Sequence, residues 1–235
     1  MRRVSLMSAA LVLCVSGPAV AQSWTEYVSR ADFFSVSFPA EPKVQEITYP
    51  AEYRITLPGR VYSVENRGSR YSVTVVNYAD AVKIHLERVK SCTAAGGDGD
   101  SCQDDGPEEM RGALVFASWN FINRDGAKVT HYAHYNSDRV EGHEIHLTNA
   151  DRSRTFAVVH MHENRLYILE ATVPPGAPSP GLFQVSVRFL DKEWNPVRYE
   201  WQGTQLYSNG YPPPPRTGGQ RGQGPGPQGQ GQQAR

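Results

Sequence analysis

Apolar and polar residues alternate at 34–38, where Ser35 and Ser37 separate Phe34, Val36 and Phe38. That is the period of a half-buried strand, and Pro39 ends it. Further strand-like runs follow at 43–49, 53–57, 60–65 and 70–78, with Gly68 and Ser69 punctuating the last two as a hairpin. The period then lengthens. Asp80 is a plausible N-cap for a helix over 79–90, in which Val82, Leu86 and Val89 recur at helical spacing. A second helix is predicted over 107–123. Pro107, Glu108 and Glu109 suit its first turn, and Met110, Leu114, Ala117, Phe121 and Ile122 make an apolar stripe. Strands resume at 128–135, 143–149, 154–162 and 166–173, and the short link His162-Glu163-Asn164-Arg165 predicts a tight hairpin. Ser179-Pro180 then starts a third helix through about Leu190, with Phe183, Val187 and Leu190 on one face. The pattern predicts an α+β fold: an antiparallel β-sheet flanked by about three helices on one or both faces.

The two ends differ from this body. Arg2 and Arg3 precede an apolar stretch, Leu6 to Val15, and Pro18 leads into Ala19-Val20-Ala21. This is the layout of an export signal with small residues at −3 and −1, so residues 1–21 are expected to be removed, with cleavage between Ala21 and Gln22. The apolar stretch is about half the roughly 20 residues that a membrane-spanning helix needs. Leu13 stands before Cys14 where lipidation needs a small residue, and Ser5 and Leu6 fit a twin-arginine signal poorly. At the other end, Pro212 to Pro215 open a stretch of Gly, Gln, Pro and Arg with nothing to bury. The expected division is thus a signal peptide at 1–21, one globular domain at 22–207 and a disordered tail at 208–235, in a periplasmic or secreted protein.

Export changes the reading of the cysteines. Without Cys14, only Cys92 and Cys102 remain, with nine residues between them. An even, closely spaced pair in an oxidising compartment is expected to form a structural disulfide. A redox-active pair would more often be a C-x-x-C at a helix start. Charge excludes another class. The chain has 24 basic and 24 acidic side chains, and setting aside the arginines of the signal and tail leaves 19 basic against 24 acidic. A mildly acidic body is not expected to bind nucleic acid.

Specific chemistry is scarce. There is no G-x-S-x-G turn, phosphate loop, G-x-G-x-x-G or H-E-x-x-H helix. Neither a cofactor nor a catalytic residue is therefore expected, and an unrecognised hydrolase is a remote alternative. Asp98, Asp100, Asp104 and Asp105 lie around the cysteine loop, but Cys102 stands where a calcium loop wants a ligand, so a solvated acidic turn is expected. Six of the seven histidines fall between His131 and His162, which raises periplasmic metal handling as an alternative function. Strand geometry weighs against it, because His131 and His134 point to opposite sides, as do His143 and His146. Only His160 and His162 share a face, and they are the weak metal candidates. With a two-residue turn at Glu163-Asn164, His160 falls opposite Tyr167. Burial with a bond to a hydroxyl or carbonyl is then the expected state of these rings.

Three stretches resemble PsbP-like bacterial proteins: FSVSFPAEPKV (34–44), RLYILEATVPPG (165–176) and GLFQVSVRFLDK (181–192). The resemblance implies the α/β/α sandwich that PsbP shares with Mog-type proteins, and it carries over no binding residue. Together these readings point to an exported, non-enzymatic binding or assembly module of the cell envelope. Its partner would be an envelope protein or a small ligand, with no transmembrane segment after signal cleavage.

Overall fold

The computed structural model describes residues 24–199. The signal peptide with its Ala21–Gln22 junction, and the tail from 208, lie outside the described residues. Strands β1 (Thr25–Ser29), β2 (Phe34–Phe38), β3 (Lys43–Pro50), β4 (Thr56–Asn66) and β5 (Ser69–Asn77) come first. Helices α1 (Ala81–Ala94) and α2 (Gly106–Ile122) follow, then β6 (Lys128–Ser137), β7 (Val140–Thr148), β8 (Arg154–His162) and β9 (Arg165–Val173). A short α3 (Gly181–Val185) and β10 (Arg188–Phe189) close the series.

Seven strands form one antiparallel sheet in the order β3-β4-β5-β9-β8-β7-β6, and β1-β2-β10 form a second, small sheet. Two meanders, β3–β5 and β6–β9, thus join through the β5–β9 pair. Three two-residue turns pin the registers: Arg67-Gly68, Asp138-Arg139 and Glu163-Asn164 all have both residues at positive φ. That is the turn whose twist matches the flanking strands. The last one sets His160 opposite Tyr167, as the sequence predicts.

The large sheet is covered differently on its two faces. On one, α2 lies over β7, β8 and β9, burying Ala113, Ala117 and Phe121 against Ile145, Leu147, Ala157, Val159 and Leu166. On the other, the small sheet and α3 bury Phe34, Val36, Phe38, Phe183 and Phe189 against Tyr62, Tyr71, Tyr167 and Leu169. Aromatic edges interlock there, with Phe34 5.0 Å from Tyr62, Phe189 5.1 Å from Tyr167 and Phe183 5.5 Å from Tyr71. The layers are therefore helix, sheet, sheet, and the expectation of a sheet flanked by helices holds fully on one face only.

Four local expectations are corrected. The helix expected through Leu190 stops at Val185, because the backbone of Arg188 and Phe189 pairs with Ser35 and Phe34 of β2. The strands expected at 53–57 and 60–65 are one strand, β4, which continues through Pro58-Gly59. Pro58 pairs only with β3, so its missing N–H breaks no bond to β5, and β5 begins pairing at Gly59. A Cβ on Gly59 would stand 2.8 Å from the Val75 carbonyl oxygen, so glycine permits the close approach. The stripe Val82, Leu86 and Val89 does not face the core: Val82 and Leu86 are 40% and 43% exposed, while Ala81 and His85 are buried. Asp80 occupies the N-cap position of α1 but makes no side-chain cap bond. Asn77 Oδ1 instead accepts from the Ala79 N–H.

Cys92 and Cys102 form the expected disulfide, with Cα atoms 5.6 Å apart. Gly97 fits against it, since a Cβ there would collide with both sulfurs. Closing a ten-residue loop stabilises the fold by roughly 2–3 kcal/mol on the chain-entropy model. The double variant Cys92→Ser with Cys102→Ser is expected to lose about that much in urea unfolding. A loss below about 0.5 kcal/mol would show that the loop is held without the bond.

Candidate functional site

A cleft of about 330 Å³ opens where the β1–β2 turn overhangs the sheet, lined by Ala31, Asp32, Glu46, Arg60, Asn77 and Arg165 among others. Strand register puts these residues in two adjacent rungs. Glu46, Arg60 and Val75 lie in line across β3, β4 and β5, and Asn77 lies directly opposite Arg165 on β5 and β9. The turn Arg30-Ala31-Asp32-Phe33 roofs them, with Phe33 at positive φ.

A chain of hydrogen bonds forms the inner wall. Asp32 is 6% exposed, and both its carboxylate oxygens are engaged. Arg60 Nη1 donates to Oδ1 at 2.7 Å, and the Tyr62 hydroxyl donates to Oδ2 at 2.5 Å. Tyr62 then accepts from Ser29 Oγ at 2.8 Å, and the Tyr167 hydroxyl donates to the Asp32 carbonyl at 2.9 Å. Burial, followed by the bond to Asp32, raises the Tyr62 hydroxyl well above its ordinary range. The hydrogen bond and charge of Asp32 hold Arg60 more firmly protonated. These groups are therefore fixed in place, each satisfied by a neighbour. Across the cleft, the Arg165 guanidinium lies over the Phe33 ring, 4.5 Å from its centre, and makes one weak bond of 3.4 Å to the Glu163 carbonyl.

The expected metal candidates lie elsewhere on the same face. His160 is fully buried and donates from Nδ1 to the Glu141 carbonyl at 3.2 Å, while His162 Nε2 is 2.6 Å from the Tyr199 hydroxyl. A carbonyl and a hydroxyl are thus the partners of these two buried rings. Burial lowers both rings to about 4, with the His160 charge adding to the effect at His162. His131 and His146 stack with ring centres 4.7 Å apart, sharing Glu144 at 3.6 and 2.9 Å. His146 lies four positions along β7 from Gly142, the partner of His160, a span of about 13 Å. His134 and His143 face the helices. Among the described residues, no three His, Cys, Asp or Glu side chains are grouped to hold a metal ion.

His143 Nδ1 lies 2.8 Å from Ser118 Oγ, but that hydroxyl is buried in α2 and donates to the Leu114 carbonyl. Burial and the neighbouring His134 lower the His143 ring. Around the disulfide, Asp98 accepts from the Ser101 N–H at 3.0 Å, and Asp104 Oδ1 accepts from the Gly106 N–H at 3.0 Å. Both carboxylates serve local turns. Asp100 and Asp105 make no contact with them that would gather a ligand set.

Sequence reasoning missed Ser29, Asp32, Arg60, Tyr62 and Arg165 altogether. The one available signal is Asp32 itself, a charged residue two positions before a strand that buries Phe34, Val36 and Phe38.

Among the described residues, no helix is long and apolar enough to cross a membrane. No protein-family model matches the chain, and no curated protein matches it. Among solved structures, it is similar to the solution structure of cyanobacterial PsbP (CyanoP) from Synechocystis sp. PCC 6803. The two are 10% identical with a TM-score of 0.41, over 75% of this chain and 98% of that one.

Proposed function

We propose that this chain is an exported, non-enzymatic binding or assembly module of the cell envelope, and that the cleft under the β1–β2 turn is its binding site. The observation that carries the reading is the buried Ser29–Tyr62–Asp32–Arg60 chain. It makes one wall of a cleft where charged side chains of the large sheet meet Asp32 of the β1–β2 turn. Rigid, pre-satisfied polar groups lose little entropy on binding. The Asp32 carboxylate and the Tyr62 hydroxyl are bonded to each other and so are poorly placed to act as a general acid or base on a ligand. The signal at 1–21 supports the compartment.

In-cell photo-crosslinking tests the reading. A crosslinking residue at exposed Ala31, on the lip of the cleft, is expected to trap one envelope component. The same residue at exposed Lys90, on α1, is expected not to, and Arg165→Glu is expected to abolish the Ala31 product. Equal yields at both positions, or recovery of the protein in the cytoplasm with residues 1–21 intact, would overturn the proposal.

A further inference from the structure

The charges lining the cleft do not cancel locally, and their imbalance points to the chemistry of an occupant. Arg60 is neutralised by Asp32 at 2.7 Å and approached by Glu46 at 3.8 Å. Arg165, opposite, has no carboxylate within ion-pair distance among the described residues. Phe33 nevertheless holds its guanidinium in one orientation, a cation–π arrangement that keeps the planar fork in place without neutralising it. Beside it, Asn77 spends its Oδ1 on the Ala79 N–H and has its NH₂ group left to donate. The Arg165 rung therefore offers donors and one positive charge. At the far wall stands an 85% exposed carboxylate, Glu46.

We infer that the cleft takes a small monocarboxylate, its carboxylate received by the Arg165 fork and Asn77 Nδ2. The inference deepens the proposed binding function and rests on the cleft being its site. One uncompensated cation matches one negative charge, whereas a dianionic phosphate would also face Glu46 and Asp32 with its second charge unbalanced. Guanidinium and carboxylate meet bidentately, two parallel bonds that outlast competition from water better than a point charge does. The volume, about 330 Å³, lies at the small end of ligand sites and admits a molecule of amino-acid size. Glu46 would favour an ammonium at the other end of such a ligand.

The test is titration of the mature protein with propionate, alanine and inorganic phosphate, followed by amide chemical shifts. Propionate and alanine are expected to move the amides of Ala31, Asn77 and Arg165 in a saturable way, alanine at the lower concentration. Arg165→Gln is expected to weaken both at least tenfold with the melting temperature unchanged, and Arg165→Lys to restore only part of the loss. Because Arg165 is partly exposed and its side chain makes only one weak hydrogen bond and the Phe33 stack, both variants are expected to fold. Shifts that are absent, that fall outside the cleft, that appear with phosphate alone or that survive Arg165→Gln would each overturn the inference. If carboxylates fail while the Ala31 crosslink persists and is lost in Arg165→Glu, the cleft remains a binding site and the ligand class alone falls.

Discussion

Glu109→Ala is expected to lower the free energy of unfolding by about 3–5 kcal/mol, the range for removing one partner from a buried charged network. Glu109 is fully buried in the first turn of α2. Its carboxylate accepts from the backbone N–H of Glu52 at 3.1 Å, from that of Tyr53 at 3.0 Å and from His85 Nε2 at 3.3 Å. One side chain thereby ties together α2, α1 and the β3–β4 turn. Truncation leaves the buried His85 ring and the part-buried N–H groups of Glu52 and Tyr53 without their acceptor, and an unmet buried hydrogen-bonding group costs about 1–3 kcal/mol. For a domain whose total stability is typically about 5–15 kcal/mol, that loss is severe. Urea unfolding followed by circular dichroism measures it, and hydrogen exchange gives the local signature, with faster exchange at the amides of 52 and 53. A loss below 1 kcal/mol would mean that the turn is held by its other bonds, such as Arg88 Nη1 to the Tyr53 carbonyl at 2.7 Å.

Stability is expected to fall steeply as pH drops from about 6.5 to about 4. His160 and His162 are both lowered from 6.5 to about 4 in the folded protein, chiefly by burial. Between those values the unfolded chain binds protons that the folded chain refuses, so unfolding is favoured as pH falls. Each ring contributes a slope of up to about 1.4 kcal/mol per pH unit, or roughly 3 kcal/mol over the whole window. Above 6.5 and below about 4 these two groups add no further change. The structure shows where the strain would appear. Protonated His162 would sit 4.8 Å from the Phe189 ring and beside the Tyr199 hydroxyl, with Arg165 as a further cation. Melting temperatures at half-unit pH steps test this. His162→Phe is expected to flatten part of the slope even though it costs stability at pH 7 by losing the Tyr199 bond. An unchanged slope in His162→Phe and in His160→Gln would assign the acid sensitivity to other groups.

Much of the architecture is legible in the chain because local physics and the fold agree there. The β8–β9 hairpin is one case: alternation in both strands and a two-residue link determine the register, and hence which histidines share a face and what they meet. The Cys92–Cys102 bond is another, since a short spacing leaves the two residues little choice of partner. Helix α2 carries both its first-turn signals and its apolar stripe.

Tertiary contacts decided the rest. The apolar spacing of α1 marks one face as well as another, and the buried one is chosen by His85 meeting Glu109, residues 24 apart in sequence. Pro58-Gly59 reads as a break, yet a strand passes through it because β3 and β5 need different things from those two residues. Arg188 and Phe189 have a helical pattern, but the open edge of β2 satisfies their backbone as a strand. The cleft is the extreme case. Asp32 and Arg60 are 28 residues apart, Asn77 and Arg165 are 88 apart, and neither pair has a local pattern. The disulfide, the class of fold and the pairing of the second meander were determined by sequence alone, because each depends on neighbours in the chain. The covering of the second face and the charges that meet under the β1–β2 turn exist only once distant strands are side by side.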